Sequence, residues 1–123
     1  MKIRISGNSL RLRLSQGEIL EFASHGRVVS ECRFADNSRL QYEVVQGDFD
    51  SLSAAFNEAT ITVLVPSNLA RNWETDHRVG FDTTRPDGLY ILVEKDFQCL
   101  KPRSHEDESD LFPNPQAPVG SHD

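Results

Sequence analysis

Hydrophobic and polar residues alternate along the first part of the chain, in the stretch KIRISGNSLRLRL at 2–14. A period of two is typical of a strand with one buried face. Gly7-Asn8 separates two alternating runs and suits a two-residue turn. The pattern predicts a β-hairpin that buries its apolar side chains, Ile3, Ile5, Leu10, Leu12 and Leu14. Its outward-facing side chains would then be four bases: Lys2, Arg4, Arg11 and Arg13.

A change of period predicts a helix after this hairpin. Ser15 and Glu18 fit a capping box, in which each side chain accepts a backbone N–H. Gly26 suits the left-handed residue that ends a helix. The apolar face of this helix would contain Ile19, Phe22 and Ala23. Two further strands follow across a turn at 35–38, with inward faces formed by Val28, Ser30, Cys32 and Phe34 and by Leu40, Tyr42 and Val44.

The same order of elements recurs 51 residues later, without a gap. Phe22 aligns with Trp73, and the turn at 35–37 aligns with Pro86-Asp87-Gly88. Few residues are identical, so the match is one of pattern, and its ungapped length makes chance an unlikely cause. We therefore expect one domain over 1–100, made of two repeats at 2–45 and 53–96. Aligned strand positions include Leu12 with Val63, Leu14 with Val65 and Val28 with Val79.

Each repeat is a strand–strand–helix–strand–strand unit, and the second has Pro66 at its helix entry and D-x-x-V-x-F at 76–81. This unit resembles the AbrB/MazE-like swapped-hairpin module. Two copies of that module, normally from two subunits, close one barrel, so the resemblance implies a fused pseudo-dimer. We expect an α+β fold: a compact β-barrel-like domain of two tandem ββαββ repeats, with about eight short strands and two helices. An open sheet with both helices on one face is the alternative.

Three segments resemble a family of short bacterial proteins known only as a domain of unknown function. They are KIRISGNSLRLRLS, LVEKDFQCL and the late FPNP. This resemblance covers nearly the whole chain and implies a shared fold. It implies no activity, so no residue role is transferred from it.

Composition narrows the class of protein. With 37% hydrophobic and 26% charged residues, the 123-residue chain is typical of a globular protein. Its net charge of -6 makes nucleic acid an unfavourable partner. We expect no signal peptide and no membrane partner, because no apolar run approaches the ~20 residues of a membrane helix. The two cysteines have no metal-binding spacing, so we expect a cytoplasmic protein without metal or cofactor.

The four bases of the first hairpin are the main candidate site. A two-residue turn places Arg4 opposite Arg11 and Lys2 opposite Arg13, and like charges opposed on a sheet destabilise it. An anionic ligand held by guanidinium groups would relieve that repulsion. A neighbouring strand carrying an acid would do the same, and surface charge runs favour this simpler interpretation. The candidate acids are Glu43, Glu94 and Asp96.

No residue pattern predicts catalysis. His25 suits a helix C-terminus, and His77 lies in a predicted loop without a motif-linked nucleophile. Cys32 fits a small buried hydrophobic residue, and Cys99 an edge-packed structural one. We therefore expect a non-enzymatic binding module for an anionic ligand. The alternative is a protein–protein interaction or accessory protein with no small-molecule or nucleic-acid ligand.

The acidic, proline-containing tail at 101–123 is expected to be disordered. Its acidic run matches neither zinc nor calcium spacing. Leu111 and Phe112 are the exception, because two apolar side chains in such a tail need a groove. We expect the tail to dock only if both are buried, and then to compete with an external anion.

Overall fold

The computed structural model describes residues 1–98 and 108–115, and these form two four-stranded sheets and two helices. The strands are β1 (Lys2–Ser6), β2 (Ser9–Leu14), β3 (Arg27–Arg33), β4 (Arg39–Gly47), β5 (Ser53–Asn57), β6 (Thr60–Pro66), β7 (Gly80–Thr84) and β8 (Tyr90–Lys95). The helices are α1 (Gln16–His25) and α2 (Ser67–Ala70). No helix in these residues is long and apolar enough to cross a membrane.

Each sheet combines one hairpin from each half of the chain. The first sheet has the order β1-β2-β8-β7, and the second has the order β3-β4-β6-β5. Strands within a hairpin are antiparallel, whereas the two central pairs, β2 with β8 and β4 with β6, are parallel. The halves of the chain therefore exchange hairpins across the molecule.

The prediction of a barrel-like α+β domain is wrong. The described residues are mostly β, and neither sheet closes, because β1, β7, β3 and β5 each pair on one side only. The alternative of a single open sheet also differs from the structure, which has two sheets. The second helix is a single turn of four residues, because the chain leaves helical geometry at Arg71, where ψ is 126°.

The core contains the inward-facing residues of both sheets. Phe22 and Trp73, each 1% exposed, belong to the same cluster. Their rings meet edge to face with centroids 6.5 Å apart, and the Trp73 Nε1–H donates to the Arg78 carbonyl at 3.1 Å. The strand residues of this core that are at most 3% exposed are Leu12, Leu14, Val28, Val44, Val63, Val65, Ile91 and Val93.

The ends of α1 agree with the sequence prediction. Ser15 and Glu18 form both hydrogen bonds of the capping box, and Gly26 ends the helix with φ at 76°. The burial of residues in and just after β3 does not agree with the sequence prediction. Cys32 is exposed and Phe34 is 54% exposed, although alternation predicted both to face inward. Val28 at the start of β3 is buried, whereas Cys32 lies near the end of the strand and Phe34 lies in the turn after it, where its N–H donates to the Ser38 carbonyl at 2.9 Å.

Hairpin pairings recur at an offset of 51 residues. Ile3 pairs with Leu12, and Ala54 pairs with Val63 in the second half. The turns between β3 and β4 and between β7 and β8 also correspond, with positive φ at Asn37 and Gly88. The two halves thus contain hairpins of the same internal register.

The parallel pairings between the halves do not follow this offset. Ser9 of β2 pairs with Tyr90 of β8. The positions that correspond to them in the other half of the chain are Thr60 and Arg39, so an exact repeat would pair these two residues. Thr60 instead pairs with Gln41, two residues further along β4. A shift by an even number of residues keeps inward side chains inward, and the second sheet therefore retains an apolar inner face.

We predict that Phe22→Ala lowers the free energy of unfolding by about 3–5 kcal/mol, as large-to-small core substitutions do. Chemical denaturation followed by tryptophan fluorescence measures this loss. Phe56→Ala is the matched control, because Phe56 is 69% exposed and its replacement should cost less than about 1 kcal/mol. Equal losses for the two variants would contradict this assignment of the core.

Candidate functional site

The four predicted bases lie together on the outer face of the first sheet. Arg4 is opposite Arg11 and Lys2 is opposite Arg13, as the two-residue turn predicted. Alternate residues of β2 face inward, and Leu12 and Leu14 are fully buried. Ile5 departs from the expected burial, since it is 57% exposed.

Carboxylates from β8 and the residue that follows it meet three of these bases. Oε1 of Glu94 lies 2.6 Å from Nη2 of Arg11 and 2.9 Å from Nε of Arg13. The Lys2 ammonium lies 2.9 Å from Oδ2 of Asp96. These are the neighbouring acids that the sequence offered as the simpler interpretation, so much of the repulsion is compensated within the sheet.

The third candidate acid, Glu43, lies in the second sheet. It contacts Nε of Arg27 at 2.6 Å and accepts the Thr62 hydroxyl at 2.8 Å. Burial raises the pKa of Glu43, but the hydrogen bonds from Thr62 and Arg27 together lower it below its usual value. Glu43 therefore forms its ion pair within the second sheet and does not neutralise the first hairpin.

Arg4 differs from the other three bases. Within the part of the chain that the structure describes, no carboxylate contacts its guanidinium. Asp82 on the same sheet is engaged elsewhere, since it accepts the Tyr90 hydroxyl at 2.7 Å. That hydrogen bond raises the pKa of Tyr90. The face thus retains uncompensated positive charge at Arg4.

Two shallow depressions meet at this uncompensated charge. One of about 160 Å³ is lined by all four bases. The other, of about 250 Å³, includes Arg4, Arg11 and the hydroxyl-bearing Ser6 and Ser9. A small anion in either depression would lie beside guanidinium donors, which match carboxylate and phosphate oxygens.

An apolar groove of about 510 Å³ lies between the two sheets. It was not predicted, because its walls come from hairpins that are distant in sequence. The available signal was the repeat: the cross-strand pair Ile5 and Leu10 corresponds to Phe56 and Ile61. Phe56 is 69% exposed. The principal apolar residues that line the groove are Ile5, Leu10, Leu40, Phe56, Ile61 and Leu89.

Residues 108–115 lie on the folded domain, and they include Leu111 and Phe112, the two residues that were expected to be the exception in a disordered tail. The Phe112 N–H donates to the Asp96 carbonyl at 2.8 Å, and the Gln98 N–H donates to the Phe112 carbonyl at 2.6 Å. Leu111 is 6% exposed, and the Phe112 and Phe97 ring centroids are 5.7 Å apart. The remaining tail residues, 101–107 and 116–123, fall outside the described residues.

This segment borders the basic face: Asp110 and Leu111 line a depression with Lys2 and Arg13, and Asn114 lines another with Arg11 and Arg13. It lies beside the start of α1, where the Gln16 N–H donates to the Asp110 carbonyl at 3.0 Å. Lys95 approaches the Phe112 ring to 5.3 Å and donates to the Asp76 carbonyl at 2.8 Å. Burial lowers the pKa of Lys95. Leu111 and Phe112 therefore contact the domain away from Arg4.

The remaining candidate residues form no constellation. His25 is exposed and contacts the neighbouring Ser24 hydroxyl at 3.0 Å, and His77 is also exposed. Cys99 falls outside the described residues. Among residues 1–98 and 108–115, no three side chains of metal-ligating type lie together.

The chain matches the sequence model of a family of unknown function, DUF7009, over residues 1–116. It therefore belongs to this family, in agreement with the resemblance drawn from its sequence. No curated protein and no solved structure matches the chain.

We predict that Glu94→Gln lowers the free energy of unfolding by about 1–3 kcal/mol, because hydrogen bonds to charged groups contribute this much. The substitution leaves Arg11 and Arg13 without their shared carboxylate. Glu31→Gln is the matched control, since Glu31 also bridges two arginines but is more exposed. The free energy of unfolding should fall clearly less for Glu31→Gln than for Glu94→Gln. Thermal unfolding that ranks the two variants the other way would contradict the role given to Glu94.

Leu111→Ala should lower the free energy of unfolding by about 2–3 kcal/mol, since it removes a buried leucine side chain. Leu20→Ala makes the same change at a site on α1 that is 59% exposed and should alter stability by about 0.5 kcal/mol or less. Urea denaturation of both variants measures the difference. A Leu111→Ala protein as stable as the parent would show that 108–115 do not dock in solution.

Proposed function

We propose that this member of DUF7009 is a non-enzymatic binding module that holds an anionic group on the outer face of β1 and β2. The observation that carries this proposal is the charge at Arg4. It lies opposite Arg11, and in the described residues the shared carboxylate of Glu94 reaches Arg11 and Arg13 but not Arg4. An anion bound there would complete the neutralisation of the face.

The second half of the chain supplies an internal comparison. Its hairpin, β5 with β6, has the same register as β1 with β2. The positions that correspond to the four bases carry neutral residues: Ser53, Ala55, Thr62 and Leu64. This fold therefore accommodates the hairpin without any base. Glu94 and Asp96 account for Lys2, Arg11 and Arg13 within the sheet. Because opposed like charges cost stability, Arg4 is the base that binding of an anion would explain.

The chemistry of the site favours a compact anion or a single anionic group. Arg4 offers a planar guanidinium that pairs with two oxygens of a carboxylate or phosphate. Ser6 and Ser9 line the same depression and add hydroxyl groups at its rim. The net charge of -6 disfavours the binding of extended polyanions along the whole surface, which is consistent with a small anionic group at this face.

A protein–protein interaction role is the second candidate. The observation that favours it is the apolar groove, whose rim includes Ile5 at 57% and Phe56 at 69% exposure. Contiguous exposed apolar surface on a globular domain commonly marks a binding surface for another protein.

Heparin, as a simple polyanion probe, tests the proposed anion site. Arg4→Ala should elute from heparin at lower salt than the parent protein. The slope of log affinity against log salt should fall by about one, because one fewer anionic group is contacted. The measurement is affinity chromatography together with titrations at several salt concentrations.

Arg33→Ala is the matched control for this test. Arg33 also lies on an outer strand opposite another arginine, Arg39, but both arginines contact Glu31. Its replacement should leave heparin binding nearly unchanged. If Arg4→Ala and Arg33→Ala behave alike, retention reflects general charge and the site is wrong.

A further inference from the structure

We propose that the free edge of β1 accepts an extended segment of a partner protein in which acidic and apolar residues alternate. The segment adds to the first sheet as a fifth strand. It places apolar side chains in the groove and carboxylates beside Arg4. This inference rests on the proposed function, since Arg4 is the anion-binding group in both.

The first requirement for strand addition is an unpaired edge. In the described part of the chain, β1 pairs with β2 alone and forms one end of the first sheet. Alternate backbone groups of such a strand point away from its neighbour. An extended peptide that pairs with them gains main-chain hydrogen bonds, and pockets for alternate side chains provide the specificity.

The two faces of β1 define the chemistry of the added strand. Ile3 and Ile5 point to one side of the sheet, while Lys2 and Arg4 point to the other. Side chains of an added strand continue these two faces with the same period of two. Residues beside Ile5 therefore enter apolar surroundings, and residues beside Arg4 meet a guanidinium, so the matching sequence alternates apolar with acidic residues.

The groove provides room for the apolar side chains. Its volume is about 510 Å³, and Ile5 and Phe56 contribute to it from the two different sheets. Both are more than half exposed. Apolar side chains inserted between them would remove this exposed apolar surface from water, which favours the complex.

The first sheet already accepts one added segment from the chain itself. The backbone of Phe112 forms a parallel β-bridge with that of Phe97. It makes hydrogen bonds to the backbone of Asp96 and Gln98, and Leu111 is buried beside it. This segment extends the sheet beyond β2, next to the residues that follow β8. This contact is a single bridge outside the named strands, so it shows that backbone groups just past β8 pair with a segment from elsewhere in the chain.

The other three edges match such a partner less well. β3 carries Arg33, whose charge is compensated by Glu31, and β7 carries Asp82, which repels an acidic strand. β5 is uncharged along its whole length, SAAFN, and so offers no charge to select an acidic partner. Antiparallel pairing of two copies of β1 would bring their Arg4 side chains together, which disfavours self-association at this edge.

A labelled ten-residue peptide of alternating Glu and Val tests this inference by fluorescence anisotropy against the full chain. Peptides that alternate Lys with Val, or Glu with Ser, should bind at least about tenfold more weakly, a difference of about 1.4 kcal/mol. Arg4→Glu should weaken binding of the Glu–Val peptide by about tenfold or more. Arg33→Glu, the same change on β3, should leave it unchanged.

A second variant and a structural measurement separate strand addition from charge attraction. Ile5→Thr keeps a β-branched residue at an exposed site and should weaken the Glu–Val peptide without changing heparin binding. Hydrogen exchange followed by NMR should show the amides of β1 slowing on peptide binding, while those of β3 and β7 do not change.

The outcomes distinguish this inference from the proposed function. If the Glu–Ser peptide binds as tightly as the Glu–Val peptide, or if β1 amides gain no protection, the strand-addition inference is wrong and the anion site stands. If heparin binding depends on Arg4 but no peptide binds, the strand-addition inference is wrong and the anion site stands. If neither probe depends on Arg4, both are wrong.

Discussion

Both sheets depend on a central parallel pair of strands that joins opposite halves of the chain. β2 pairs with β8, and β4 pairs with β6. Leu12 and Val63 are fully buried, yet the parallel neighbour of each comes from the other half. Neither half completes its own sheet, so both must be present before the core forms. Contacts as distant in sequence as Ser9 with Tyr90 also make this a fold of high contact order, which slows folding.

The two central pairs are not equivalent, and the difference shapes the surface. The pairing of β4 with β6 is shifted by two residues from the pairing that the repeat offset requires. The even shift preserves the inward faces. The two halves also differ before their third strands, since β3 begins at Arg27 and β7 begins at Gly80, one residue after Val79. Val28 is 3% exposed, while Val79, at the corresponding position, is 50% exposed. Similar hairpins thus build two sheets with different edges.

Local patterns predicted the hairpins and α1 well, because strand alternation, turn residues and capping act over a few neighbouring residues. They failed where the outcome depends on distant partners. Closure into a barrel requires outer strands to pair with one another, and no local pattern reports on that. For the same reason Phe34 is exposed beside the second sheet, although alternation predicted that it faces inward. In the candidate site, the positions of the four bases were predictable from the hairpin pattern. The acids that compensate three of them were not, because they depend on the pairing of β8 with β2.

The contrast between the two edges that border the groove is the feature that gives the first hairpin its significance. β1 and β5 belong to hairpins of the same register, and Ile5 and Phe56 line the groove together. The pairing within the two hairpins is the same at both edges. Charge makes them different: Arg4 stands where the other edge has Ala55. A neutral edge beside an apolar groove pairs with any extended segment, including another copy of itself. In the proposed complex, Arg4 would favour acidic strands over copies of the chain itself, so its charge would add selectivity to the backbone groups and apolar contacts of this edge.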